Sequence, residues 1–327
     1  MNIFLTGGTG FIGSRLAVLL AARGHRLRCL VRNTSKARPL EALGATIVQG
    51  DITDDIALDH GLAGVDCAIH LAGNYNTGLV DRAAMERVNV DGTRAFLRFA
   101  EHHEVRHIVH VSTAYVLEPV EPGTTGPSDA ACGGPHPTLY QRTKAAAHRL
   151  AVDARSRGLP VLIACPSFVY GPGDDGPAGI FIRELLRRRL PGLLSDPSWF
   201  SYVHVDDVAQ GLLACGERGR PGALYVLGGE PASVNDFAAR VCALAGVRPP
   251  PLRFPPALAT VGARILDLAA KPLRFRTSFN CENVRGTAHH AWVHSWELAA
   301  ADLSYEPRSL EQGLPETVAW FKSRAVR

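Results

Sequence analysis

Lysine and methionine are scarce in this chain of 327 residues: four lysines stand among 35 basic side chains, and methionine occurs only at positions 1 and 85. The preference for arginine reads as a coding bias. Against 31 acidic residues the net charge is only +4, too small and too dispersed to suggest a nucleic-acid partner. Apolar runs long enough to span a bilayer are missing, so no stable membrane insertion is expected. The longest late stretch, Pro255 to Ala270, is interrupted by Arg264 and Asp267 and reads as a buried or groove-lining helix, with contact to a membrane surface as the lesser alternative. Only Met1 and Asn2 precede the first apolar strand, which leaves no room for a secretory leader, and a cytoplasmic location is expected. Seven cysteines, an odd number without a C-x-x-C pair, fit reduced thiols better than disulfides or zinc. There is no G-x-S-x-G elbow and no phosphate-loop lysine, which excludes the usual serine-hydrolase and nucleotide-triphosphatase patterns. His103 and His107, like His290 and His294, stand four apart, yet neither pair has the glutamate of an H-E-x-x-H site, and no metal is expected.

What the chain does have begins at once. The apolar strand Ile3-Phe4-Leu5 runs into Thr6-Gly7-Gly8-Thr9-Gly10-Phe11-Ile12-Gly13 and then into a helix whose Leu16, Leu19 and Leu20 share a face. Gly7 suits a tight turn, Gly10 a close approach of backbone to pyrophosphate, and Gly13 close packing of helix on strand. The free N–H groups at the start of such a helix attract an anion, so this segment reads as a dinucleotide site.

Further short apolar runs follow at 27–32, 46–48, 66–71, 107–111 and 161–164, separated by helical periods starting near Asp54, Asp81 and Leu139. That alternation predicts a Rossmann-type doubly wound α/β fold with a parallel sheet covered on both faces. After Pro166 it loosens, with Pro- and Gly-rich loops at 171–179 and 249–256 and helices near 178–190, 233–245, 257–270 and 310–323. The expected organisation is a nucleotide-binding domain over 1–165, with 202–228 returning to it, and a smaller substrate-binding lobe occupying most of 166–327.

The end of the second strand bears on the choice of cofactor. An acid there would hold the ribose hydroxyls of NAD, whereas Val31-Arg32 offers a guanidinium suited to the extra phosphate of NADP. NADP(H) is therefore preferred, with NAD(H) possible. Loops after the next strands carry Gly50-Asp51-Ile52, Leu71-Ala72-Gly73 and Ser112-Thr113 at one edge of the sheet, a track for the cofactor on which Asp51 could accept from the adenine amino group. Tyr140 and Lys144 stand four apart on a helix and share a face. A phenol of ordinary pKa about 10 is a poor proton carrier at neutral pH, and a neighbouring ammonium would bring it down. Either Ser112 or Thr113 faces the crevice, because side chains alternate along a strand; Thr113 is preferred as a second hydrogen-bond donor to the substrate oxygen.

With these stretches in place, and with Asn89-Val90-Asp91-Gly92-Thr93, Pro166 to Asp174 and Tyr202 to Ala209 following in order, the chain resembles an extended short-chain dehydrogenase/reductase of the NAD(P)-dependent epimerase/dehydratase family. Arg32 makes it more similar to the dihydroflavonol reductase and 3β-hydroxysteroid dehydrogenase-like branch than to nucleotide-sugar epimerases. The resemblance implies catalytic roles for Thr113, Tyr140 and Lys144, places Pro166 and Val169 along the nicotinamide and His204 to Asp207 beside the substrate lobe, and suggests a homodimer through the helices at 81–102 and 138–156. Cys165, where relatives often carry arginine, departs from the pattern. The expected activity is that of an NADP(H)-dependent ketoreductase or alcohol dehydrogenase acting on a small to medium hydrophobic substrate. The alternative is an NAD-dependent nucleotide-sugar epimerase or dehydratase, in which Arg183, Arg187 and Arg188 would hold a diphosphate.

Overall fold

Apolar runs without alternation suit strands buried on both faces, because a parallel sheet sandwiched between helix layers exposes neither side. In the computed structural model, which describes residues 1–75, 81–273 and 277–325, six such runs form β1 (Asn2–Thr6), β2 (Arg26–Val31), β3 (Thr46–Gln49), β4 (Cys67–His70), β5 (His107–Val111) and β6 (Val161–Pro166). All their pairings are parallel, in the order β3-β2-β1-β4-β5-β6. The order reverses between β1 and β4, and the crevice at the carboxyl ends of those strands is where such folds place ligands.

The connecting helices are α1 (Phe11–Ala22), α2 (Arg38–Ala42), α3 (Asp55–Leu62), α4 (Arg82–Glu86), α5 (Gly92–His102) and α6 (Leu139–Ser156). Asp54 caps α3 by accepting from the N–H groups of Ile56 and Ala57. Thr138 and Gln141 form a reciprocal capping box at the start of α6, which fixes where that helix begins. Between α4 and α5 the chain makes a π-helical turn, Arg87–Asp91, so the single long helix expected from Asp81 onward is three segments in succession.

The second half adds β7 (Phe168–Tyr170), α7 (Pro177–Leu186), β8 (Gly192–Leu194), β9 (Trp199–His204) and α8 (Val205–Arg218). Then β10 (Leu224–Leu227) returns to the main sheet beside β6. The remainder comprises β11 (Glu230–Ser233), α9 (Val234–Ala245), β12 (Leu252–Phe254), α10 (Pro256–Leu273), α11 (Cys281–Gly286), β13 (Ala291–Trp292), α12 (Glu297–Leu303) and α13 (Leu310–Ala325). One layer of core joins α1 and α8 to the main sheet through Leu16, Leu20, Leu212 and Cys215. The opposite layer joins α3, α5 and α6 through Leu58, Phe96 and Ala151. A separate core, centred on Phe200, Tyr202, Phe237 and Trp292, builds the lobe around β9, to which β7, β11 and β13 pair. All seven cysteines are free. Among the described residues no helix is long and apolar enough to cross a membrane.

Candidate active site

A cavity of 570 Å³ runs from the Gly-rich turn, past the ends of β4 and β5, into the lobe. Its first part is shaped by main chain. Gly7 takes φ +75°, and a Cβ there would lie 2.8 Å from the Ala72 nitrogen; a Cβ on Gly13 would lie 2.1 Å from the Gly7 carbonyl oxygen. Neither position admits a side chain. Gly10 is the N-cap of α1 and supplies no side-chain acceptor, and the first turn holds no acid. The positive end of the helix therefore meets the cavity without a side-chain cap, an arrangement suited to a pyrophosphate.

Arg32 and Asp51 both border this end, with Arg32 Nη1 3.6 Å from Asp51 Oδ2. An acid thus does stand near the end of β2, contributed by the next loop, a proximity invisible at position 31 or 32. Asp51 Oδ1 is engaged by the Thr53 N–H and hydroxyl. Ile52, Leu71, Ala72 and Gly73 line the same stretch.

The loop after β4 is fixed by a buried polar relay. Thr93 Oγ1 donates to the Asn89 carbonyl at 2.7 Å, so it accepts from His70 Nε2 at 3.0 Å; His70 Nδ1 is then the acceptor for Thr6 Oγ1 at 2.9 Å. The Thr6 oxygen in turn accepts from the N–H groups of Leu71 and Ala72. Burial brings the His70 pKa down to about 3, so the ring is neutral and this one tautomer satisfies every partner. Asn89, 2% exposed, ties the same loop to α6: its Oδ1 accepts from the Asn74 N–H, and its Nδ2 donates to the Asn74 carbonyl and to Thr143 Oγ1. Sequence reasoning gave Asn89 no role, although a buried asparagine within an amphipathic helix is itself a signal.

Thr113, Tyr140 and Lys144 meet where the two parts of the cavity join. The Thr113 hydroxyl accepts from the Tyr115 N–H at 3.2 Å and lies close enough to the Tyr140 phenol to favour its ionised form. Ser112 turns the other way, its Oγ 2.8 Å from His148 Nδ1. Lys144 Nζ donates to the Val111 carbonyl at 2.8 Å, and burial brings its pKa down to about 8. The phenol departs from the sequence expectation: burial pushes Tyr140 up to about 12, with the neighbouring Thr113 hydroxyl pulling the other way. His110 and His148 near the lysine are also held neutral, chiefly by burial. Pro166 and Val169 line the cavity beyond this point.

In the lobe the walls are side chains: Phe168, Phe181, Leu193, Phe200, Phe279 and Trp292. Asp174, 4% exposed, closes one side by accepting from the N–H groups of Gly176 and Gly179 at 2.6 Å, and burial raises its pKa to about 6. Short helix α11 fastens the lobe to the start of α6 and to the segment after β5. Glu282 accepts from the Leu139 N–H at 2.6 Å, one residue before Tyr140, and the Gly286 carbonyl accepts from the Tyr115 hydroxyl, two residues after Thr113. Arg183 and Arg187 border a different, surface depression together with Arg189, Asp175 and Glu184. His204 to Asp207 straddle the junction of β9 and α8, where Asp207 binds Arg308.

A family model described as the NAD dependent epimerase/dehydratase family matches residues 3–228. Over 249 residues, 76% of this chain and 74% of the relative, the sequence is 30% identical to the 4-hydroxy-2-methyl-3-oxo-4-farnesyl-3,4-dihydroquinoline-1-oxide ketoreductase of Stigmatella aurantiaca. It is 28% identical over 342 residues to the dTDP-glucose 4,6-dehydratase of Streptomyces antibioticus, covering 98% of this chain and 92% of that one. The crystal structure of gox2253 is similar with a TM-score of 0.82 at 30% identity, over 99% of this chain and 98% of that one.

Proposed function

The chain belongs to the NAD dependent epimerase/dehydratase family, and from that premise we propose that it works as an NADP(H)-preferring ketoreductase or alcohol dehydrogenase on a small to medium hydrophobic carbonyl compound. The observation that carries this reading is the lining of the lobe cavity. Aromatic and aliphatic side chains make up most of it, with Asn235, Glu282 and Asn283 among them, and among the described residues that line the cavity the basic ones are Arg32 and Lys144, both on the coenzyme side. A sugar nucleotide brings a diphosphate, which calls for arginine or lysine in the lobe. Arg183 and Arg187 border the separate depression, beside Asp175 and Glu184 and away from the lobe cavity. The Stigmatella ketoreductase supports the reductase arm, and the Streptomyces dehydratase keeps the sugar-nucleotide arm as the second reading.

The uncapped start of α1, the two glycines that admit no Cβ and Arg32 together fit a dinucleotide with a 2′-phosphate. A bound nicotinamide would supply or accept hydride. Everything else falls to this chain. Thr113 and Tyr140 orient the carbonyl oxygen by hydrogen bonds, and Tyr140, a phenol at neutral pH, donates its proton to that oxygen as negative charge develops there. Lys144, anchored by the Val111 carbonyl, brings a positive charge to the ribose side of the same junction. The apolar lobe excludes water and holds the body of the substrate.

The deciding measurement is the nucleotide released when the purified protein is denatured, followed by NADPH and NADH titrations. A reductase should release little nucleotide and bind NADPH about tenfold more tightly than NADH, a difference of about 1.4 kcal/mol. Near-stoichiometric NAD would overturn the reading in favour of the epimerase or dehydratase.

A further inference from the structure

The apolar wall of the lobe has an outer side, and none of the described residues covers it. Helix α10 packs its small residues, Ala259 and Ala263, against Leu194 and Val284, with Phe254 and Phe279 beside them. Leu194, Phe279 and Val284 also line the cavity, so α10 is the outer skin of the substrate chamber. On its opposite face Leu258, Val261, Ile265 and Leu268 are 58%, 53%, 64% and 72% exposed. Their spacing of three, four and three residues puts them in one stripe along the helix. The helix expected to be buried or groove-lining is therefore apolar on both faces, and among the described residues only one face is packed against the rest of the chain.

The charges around the stripe select its occupant. Arg264 is exposed on α10, Arg253 is exposed on β12 immediately before it, and Arg248 is exposed ahead of that strand. The one acid between Arg248 and Leu268, Asp267, is engaged by the Cys281 N–H. A two-fold contact between copies would set this basic face against itself, whereas an anionic bilayer surface answers both the stripe and the charge. A crossing of the bilayer is not involved, since no described helix is suited to one.

We propose that α10 docks the protein on the surface of anionic lipid bilayers, lying in the headgroup plane with Leu258, Val261, Ile265 and Leu268 in contact with acyl chains and the surrounding arginines on lipid phosphates. The chamber wall then faces the lipid phase. This goes beyond the reading of the active site and does not depend on it, because docking is measured without coenzyme or turnover.

The test is cosedimentation of the full chain with phosphatidylcholine vesicles and with vesicles containing phosphatidylglycerol. The expected result is capture by the phosphatidylglycerol vesicles alone, weakened by salt and lowered at least about tenfold in an Ile265→Glu/Leu268→Glu variant, with coenzyme binding unchanged as evidence of folding. Arg264→Ala should remove part of the salt-sensitive capture and leave the rest. No capture by either vesicle, equal capture by both, or capture indifferent to the double substitution would each overturn the proposal. So would a concentration-dependent dimer in sedimentation velocity that the same double substitution disperses, since the stripe would then belong to a second copy.

Discussion

On the coenzyme side of the cavity the wall is largely main chain and small residues, whereas on the lobe side it is large side chains. Gly7 and Gly13 leave no room for even one carbon atom, and the loop that faces them is held by backbone N–H groups on Thr6. Phe181, Phe200, Phe279 and Trp292 shape the other half through their rings. A wall made of backbone changes only if the fold changes, while a wall made of rings is altered by single substitutions. Under the proposed function the main-chain wall would hold the coenzyme and the ring-lined wall would choose the substrate, on either side of the junction at Thr113 and Tyr140.

Substitutions at that junction should break the contrast most severely. Tyr140→Phe removes the proton donor and should lower turnover about 10³-fold, while the coenzyme dissociation constant, read by NADPH fluorescence, stays within about twofold. Binding lost together with turnover would mean that Tyr140 belongs to the coenzyme half. The direction of reaction supplies the next effect. With Tyr140 raised to about 12 by burial, the phenol form persists well above neutral pH, so carbonyl reduction should be flat between about pH 6 and 8. Alcohol oxidation needs the phenolate, whose fraction grows tenfold per pH unit below the pKa, so its rate should rise about 100-fold from pH 7 to pH 9. An oxidation profile that levels off near pH 8 would instead report Lys144, which burial brings to about 8.

Smaller effects should separate the two halves cleanly. Arg32→Ala should weaken NADPH about tenfold and leave NADH nearly unchanged, detectable by isothermal titration. Phe181→Ala, on the lobe wall, should raise KM for an apolar carbonyl by up to about tenfold without altering the affinity for either coenzyme. If Phe181→Ala moved coenzyme affinity and Arg32→Ala moved KM, the division of labour would be wrong.

The main sheet was legible because each of its strands holds a short apolar run and its helices keep a 3.6-residue period; the starts near Asp54, Asp81 and Leu139 fall beside observed caps or first turns. The lobe was read only as helices. Its strands β7, β8 and β12 are three residues long, and β12 is largely exposed, so neither length nor alternation marks them. Within the candidate site, the glycines announce themselves through local spacing. The proximity of Asp51 to Arg32, the turning of Ser112 to His148, and the two ties made by α11 are contacts between residues from 19 to 171 positions apart. No local pattern encodes them. The shift of Tyr140 was misjudged for a related reason: shared helix face predicts that two side chains are neighbours, but burial and the Val111 carbonyl, which come from other elements, decide what each does.

The π-helical turn at Arg87–Asp91 makes the length of this helix as consequential as its composition. Such a turn absorbs one residue more than a regular helix needs, and each residue is worth about 100° of rotation. Met85, on one side, is 1% exposed in the interior; Asn89, inside the turn, points to Asn74 and Thr143. A gene shortened by a single codon here would heal the helix into one even period, and Met85 and Asn89 could not both keep their places. Among relatives, a one-residue gap at this point would therefore signal a rebuilt loop after β4, even where every neighbouring amino acid was the same.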